Sequence, residues 1–297
     1  MILIDYSQVC IANIMQFQCD IQKNGSSPEA VNIIRHAILM GIKSYKKKYS
    51  KYGQMVICCD GDNYWRKKHF EYYKAKRKTA REQSDLDWSL IFDTMSSIRE
   101  DLKEHFPYVV LRVEGAEADD IIGAMCKYTQ DNLLIDHGVF EEKQPVMILS
   151  ADHDFKQLQK WDNISQWSPM QKKVVKSTNP TRDLIEKILV GDAGDGIPGI
   201  CSGDAVFVTE GVRQTPFRKA RIDDFMKLGR GACKNDTERH GWDRNIKMID
   251  LENTPEDIRK EIVDQYESYI VKGDKMGIFN YLVSKRCRLL LSEIEEF

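Results

Sequence analysis

The chain has 297 residues, 42% apolar and 30% charged, with 44 Lys and Arg against 46 Asp and Glu for a formal charge of −2. At roughly 150 residues per domain that length sets an expectation of about two domains, and the composition fits a packed core and excludes a disordered chain. No run approaches the ~18–20 consecutive apolar residues of a membrane span. Eight cysteines without a CxxC pair argue for reduced thiols and a cytoplasmic location, against a disulfide framework or thiolate zinc site.

In chain order, MILID (1–5) reads as a short buried strand ending in an acid, and no basic segment precedes it as in a signal peptide. Val31, Ile34, Ile38 and Ile42 recur at helical spacing and predict a helix from Glu29 to about Lys48, after Ser27 and Pro28. MVICC (55–59) is a second strand, followed by Asp60. Residues 64–85 are basic, aromatic and weakly periodic. A helix is expected from Leu86 to about Phe106, a strand over 108–113, a helix from Ala118 to about Tyr128, and a fourth strand at PVMILS (145–150) before Asp152. Strands alternating with helices predict an α/β fold with a mainly parallel central sheet flanked by helices. Beyond a boundary near residue 180 the chain reads as helical, with a glycine-rich loop at 191–203 and a surface loop at 229–243.

The near-zero total hides an asymmetry. From Arg35 to Arg81 there are fourteen Lys and Arg and three Asp and Glu, so the rest of the chain is strongly acidic. Tyr45, Tyr49, Tyr52, Tyr64, Trp65, Phe70, Tyr72 and Tyr73 interleave with these cations, the combination that phosphate contact and base stacking use. A charge run is ordinarily a solvated face; the interleaved aromatics favour nucleic-acid contact.

Asp5, Asp60, Asp152 and Asp154 follow apolar strands directly, Glu117, Asp119 and Asp120 open a helix, and Asp192 and Asp195 lie in the glycine-rich loop. Sites in open α/β sheets form outside the carboxyl ends of the strands. Carboxylates gathered there repel one another, so cations must neutralise them, and all-oxygen ligands favour Mg²⁺ or Mn²⁺ over zinc. Singly, each acid is also a plausible helix cap or turn residue. The chain lacks GxSxG, HExxH and GxxxxGK[ST], which leaves serine-hydrolase, zinc-protease and nucleotide-triphosphate readings unsupported. GDGIPG (194–199) fits GxGxxG but follows an expected helix at 181–190 rather than the strand a dinucleotide-binding turn requires.

The order LIDYS (3–7), CCDGDNYWRK (58–67), YYKAKR (72–77), EGAEADDIIG (114–123), ILSADHDFKQL (148–158) and GDAGDGIPG (191–199) resembles the 5′-nucleases of the flap-endonuclease superfamily, and within it the phage ribonuclease H subgroup. The resemblance covers essentially the whole chain. It implies a metal-dependent nuclease domain over 1–180 of the PIN-like type, with a basic arch at about 64–106, and a helical, helix–turn–helix-like DNA-binding and C-terminal domain over 181–297. It also implies a Mg²⁺-dependent 5′→3′ exonuclease or flap endonuclease with ribonuclease H activity, using two ions. The expected substrates are 5′ ends of RNA–DNA hybrid, duplex or flapped DNA, with removal of RNA primers in phage DNA replication as the setting.

Matched residue by residue, Asp5, Asp60, Glu117, Asp119 and Asp152 correspond to inner metal ligands and Asp120 to the neighbouring acid. Asp154, Asp192 and Asp195 correspond to the group serving a second metal. Arg66 and Lys74 correspond to basic residues at the scissile phosphate, and Tyr73 to an aromatic that stacks on a base. Lys76, Arg77, Lys78 and Arg81 are expected on nucleic acid, and residues 74–85 are expected to order on a 5′ single strand. A monomer is implied, with a single-stranded DNA-binding protein or sliding clamp as replication partner. The chain departs from the family pattern at Gly196, where Asn is usual, and at CSGDAVFVTEG (201–211). The alternatives are a non-catalytic DNA-structure-binding protein, which gains nothing from packed carboxylates, and a compact PIN-type ribonuclease, which is about half this length and lacks the arch.

Overall fold

The computed structural model describes residues 1–76, 84–136 and 141–297. The assignments of Arg77, Lys78 and Arg81, and most of the segment expected to order on a single strand, lie outside the described residues.

Four apolar runs form parallel strands: β1 (Ile2–Asp5), β2 (Met55–Cys59), β3 (Val109–Arg112) and, further along, β6 (Val146–Leu149), after a small antiparallel hairpin of β4 (Leu134–Asp136) and β5 (Glu141–Lys143). Two further strands, β7 (Ile164–Ser168) and β8 (Lys173–Val175), complete a six-stranded sheet in the order β3-β2-β1-β6-β7-β8, antiparallel only at β8. Every residue of β1, β2 and β6 is buried, as in a parallel sheet covered on both faces. Side chains alternate across it. Ile2, Ile4, Ile57 and Val110 face one helical layer, while Leu3, Val56, Cys58 and Leu111 face the other.

The first layer contains α1 (Tyr6–Ile14), α2 (Gln18–Asn24) and α3 (Pro28–Lys48). Ser27 caps α3 by accepting from the Ala30 amide, and Pro28 sits at its first position. A short α4 (Trp65–His69) precedes α5 (Trp88–His105), which joins the same layer, and α6 (Ala118–Asp131) lies on the opposite face. After α7 (Pro180–Val190), the glycine-rich stretch forms a tight antiparallel pair, β9 (Gly191–Asp192) and β10 (Ile197–Pro198). Then follow α8 (Ile222–Leu228), α9 (Asp236–Ile249), α10 (Glu256–Glu267) and α11 (Lys275–Ser284).

The structure differs from the sequence expectations at several places. Residues 236–249 are helical, although 236–243 were expected to lie in a surface loop. Asn235 accepts from the Glu238 amide as N-cap, and Trp242, Met248 and Ile249 supply a buried stripe. α1, α2, β7 and β8 were not anticipated, being short or half-polar. A third apolar cluster joins Phe70 and Tyr73, from the expected arch, to Ile188, Leu189, Ile197, Ile200, Phe225 and Trp242. The 70–73 turn is thus anchored on the region after residue 180. Conversely, Ile278, Tyr281, Leu290 and Phe297 return to the first helical layer. All eight cysteines are free thiols, and no described helix is long and apolar enough to cross a membrane.

Candidate active site

β1 lies between β2 and β6, where the strand order reverses, and such a switch point opens a crevice at the carboxyl ends. Asp5 ends β1 and caps α1, accepting from the Gln8 amide at 3.2 Å and from Ser150 Oγ, just beyond β6, at 3.0 Å. Asp60, after β2, accepts from Ser7 Oγ at 2.8 Å and from the Ala118 amide at 3.0 Å. Asp152 accepts from the Asp154 amide at 2.8 Å, and Asp119 sits in the first turn of α6. Capping and ligation do not compete here, because a carboxylate retains lone pairs after accepting an amide.

Asp5, Asp60, Asp119, Asp152 and Asp195 line one cleft of about 730 Å³ with Tyr64, Lys67, Lys74, Arg99 and Arg112. Burial, and then the Asp60 charge, push the Asp5 carboxyl up to about 7. Burial likewise holds Asp119 well above the usual carboxylate range, reinforced by Asp152 and Asp5 and opposed by Lys74. The first turns of α1 and α6 face the same space, and their positive dipole ends partly offset this repulsion.

Glu117 and Asp120 do not line the cleft; they form a buried foundation beneath it. Glu117 Oε2 accepts from Arg66 Nη1 and Tyr73 Oη, both at 2.9 Å, and its Oε1 accepts from Lys74 Nζ at 2.5 Å. Asp120 accepts from Arg66 Nη1 at 2.9 Å, Trp65 Nε1 at 3.1 Å and Thr254 Oγ1 at 2.7 Å. Two expectations change accordingly. Arg66 is 3% exposed and spends its Nε on the Met248 carbonyl, so in this structure it does not face a phosphate. Tyr73 is also 3% exposed, with its hydroxyl on Glu117 and Asp195, so its ring offers no stacking face.

Lys74 does reach the cleft. Its backbone has a left-handed φ of 57°, and its amide donates to the Asp195 carbonyl at 2.8 Å. A non-glycine residue held there costs on the order of 1 kcal/mol or more; the contacts of its amide and ammonium hold it. Gly196 makes the close approach possible, because with φ +74° a Cβ there would lie 2.7 Å from the Tyr72 carbonyl oxygen.

Asp154 and Asp192 stand apart from the cleft. The Lys187 ammonium bridges them, contacting Asp154 Oδ1 and lying 2.8 Å from Asp192 Oδ2. Burial and Asp152 push Asp154 up to about 7 against the pull of Lys187. Burial also opposes ionisation of Asp192, yet Lys187 and the amides of Asp195 and Gly194 hold it below the ordinary carboxylate value. Lys76 Nζ lies 5.7 Å from the Phe207 ring, against the 200–211 loop.

Sequence reasoning missed Ser7, Lys67, Arg99 and Arg112. Ser7 follows the strand-end acid by two residues, a readable signal; Arg99 belongs to the polar side of an ordinary amphipathic helix and carries none.

The donor set is oxygen alone, which suits a hard divalent cation. Among the described residues, the nearby lysines Lys74 and Lys187 pair with Glu117, Asp195, Asp154 and Asp192, and no Lys or Arg is ion-paired to Asp5, Asp60, Asp119 or Asp152. Among the described residues no three ligating side chains already stand close enough to hold one ion. Like charges without an intervening cation stand apart.

Comparison with known proteins agrees with this architecture. Residues 1–188 match the family model of the 5′-3′ exonuclease N-terminal resolvase-like domain, and residues 178–297 match that of the T4 RNase H C-terminal domain. The chain is 32% identical to the ribonuclease H of Enterobacteria phage T4, across 99% of this chain and 95% of that protein. Its fold is similar to the bacteriophage T5 flap endonuclease in a complex with DNA and metal ions, at 17% identity and a TM-score of 0.62 over 90% of this chain and 99% of that one. It is also similar to the T5 5′-exonuclease with bound zinc ions, at 18% identity and a TM-score of 0.60 over 90% and 98%.

Proposed function

The chain belongs to the 5′-3′ exonuclease family and is a 5′→3′ nuclease, and from that premise we propose a two-cation phosphodiesterase acting on 5′ ends of RNA–DNA hybrid, duplex or flapped DNA. The observation that carries the reading is the gathering of Asp5, Asp60, Asp119 and Asp152 in one cleft with no described Lys or Arg ion-paired to them. These four are the residues that would hold the first ion, Mg²⁺ with Mn²⁺ able to substitute. Asp154 and Asp192, with Asp195 between the two groups, would serve the second.

Bound there, divalent cations would supply charge neutralisation and activation of the attacking water. The chain's own residues do the positioning. Lys74 Nζ at the cleft wall meets charge developing on the scissile phosphate, and Lys67, Arg99 and Arg112 face flanking phosphates. Arg66 and Tyr73 act through Glu117, fixing the carboxylate on which Lys74 rests. Tyr64, over which Lys67 Nζ lies at 5.3 Å, is the aromatic surface available to a base. We further propose the division into a nuclease domain at 1–180 and a helical DNA-binding domain at 181–297. The biological setting would be RNA primer removal in phage replication, by a monomer in the host cytoplasm beside a single-stranded DNA-binding protein or sliding clamp.

The test is release of short oligonucleotides from 5′-labelled RNA–DNA, DNA–DNA and 5′-flap substrates with and without Mg²⁺. Metal-dependent release supports the reading, and product lengths rank the substrates. Binding without cleavage of any of them contradicts it.

A further inference from the structure

We propose that the Lys187 ammonium occupies the second-cation position in the metal-free protein and must leave it before a second divalent ion binds. This inference rests on the two-cation reading above and says how the sites fill.

The acids divide by the cation each one meets. Among the described residues, no Lys or Arg is ion-paired to Asp5, Asp60, Asp119 or Asp152; Lys74 acts on Asp119 only from a longer distance. Glu117 and Asp120 close on Arg66, and Glu117 also on Lys74. Asp154 and Asp192 close on Lys187, whose ammonium touches one carboxylate oxygen of each. An ammonium is a compact point charge with three donors, so bridging two carboxylates is the geometry it shares with a small metal ion. Lys187 lies in the last turn of α7, where the helix dipole also favours a cation. Its side chain is 22% exposed on a flexible four-carbon stem, so rotation carries the charge into water without moving the helix. A divalent ion arriving between Asp154 and Asp192 meets a like charge at ion-pair distance and binds weakly until that charge swings out. Among the described residues no ammonium bridges the carboxylates of the first site in this way. Loading is therefore ordered: the strand-end acids fill first, and Lys187 sets the concentration at which the second ion enters.

If Lys187 were only a staple holding α7 to residues 153–160, metal would neither depend on it nor expose it. The test is Mn²⁺ titration of the full chain, counting bound ions by electron paramagnetic resonance, on the wild type and on Lys187→Met. The expected result is one tight and one weak ion in the wild type, with the weak one tightening by about tenfold or more in Lys187→Met and the tight one unchanged. Two ions of equal affinity in the wild type, or a second ion left unchanged or weakened in Lys187→Met, overturn the proposal. A wild-type chain that binds no Mn²⁺ overturns the two-cation reading itself, and this inference with it. Amine acetylation of the wild type, read by mass spectrometry, serves if Lys187→Met does not fold. Lys187 should be protected without metal and become reactive at the Mn²⁺ concentrations that fill the weak site. Protection unaltered by Mn²⁺ overturns the proposal.

Discussion

Nη1 of Arg66 lies 2.9 Å from Oε2 of Glu117, with the arginine 3% and the glutamate 1% exposed. A residue expected to touch substrate is thus part of the support beneath the site. Removing one partner from a buried ion pair leaves an uncompensated charge, at a cost of about 3–5 kcal/mol. Arg66→Met should therefore lower stability by roughly that amount, because it strands both Glu117 and Asp120. Urea unfolding followed by circular dichroism checks this. A loss below about 1 kcal/mol with cleavage abolished would return Arg66 to direct contact with phosphate.

Asp119→Asn removes a charge from the crowded cleft while keeping shape. Asp119 is buried against Asp152 and Asp5, so the variant should melt at or above the wild-type temperature. Cleavage should nonetheless fall to background under the same Mg²⁺ concentration. Near-normal cleavage by a folded variant would remove Asp119 from the metal site.

These two residues also mark what the sequence reveals. An acid directly after an apolar run is a local signal, so Asp5, Asp60 and Asp152 and the parallel sheet that gathers them are readable without coordinates. The partner each side chain takes is a tertiary matter. Arg66, Tyr73 and Lys74 lie within nine residues of one another in a basic, aromatic stretch, yet only Lys74 faces the cleft. Nothing local tells that Phe70 and Tyr73 will bury themselves among Ile188, Ile197 and Trp242. For the same reason α9 was hidden: its Asn-, Gly- and Asp-rich start reads as loop until Asn235 is seen capping and Trp242 is seen buried.

Binding should weaken with salt although the whole chain carries −2, because counterion release follows the local surface. Neutralising Lys67 and Arg99 together, by Lys67→Ala and Arg99→Ala, should reduce the slope of log K against log salt by up to about 1.8, at ~0.9 per phosphate contact. Fluorescence anisotropy with a 5′-flap substrate in Ca²⁺ reads the slope. An unchanged slope would place the nucleic acid elsewhere.

Stability in acid should follow Glu238. Arg221 hydrogen-bonds its carboxylate through two nitrogens, at 2.7 and 2.8 Å, and holds its pKa down to about 2 from an ordinary 4.5. A depressed carboxylate stabilises the fold fully above its unfolded value, and that contribution disappears as pH falls from about 4.5 towards 2. Glu238→Gln should therefore be less stable than wild type at pH 6, with the difference shrinking as pH falls through that window. A constant difference from pH 6 to pH 2.5 would contradict the linkage.

The central claim is that the strand-end acids are a metal site, and anomalous scattering from crystals soaked in Mn²⁺ tests it most directly. The account predicts a strong peak in the cleft bounded by Asp5, Asp60, Asp119 and Asp152, with any peak between Asp154 and Asp192 appearing only at higher Mn²⁺. A cleft that stays empty while Mn²⁺ is bound elsewhere on the protein would contradict it.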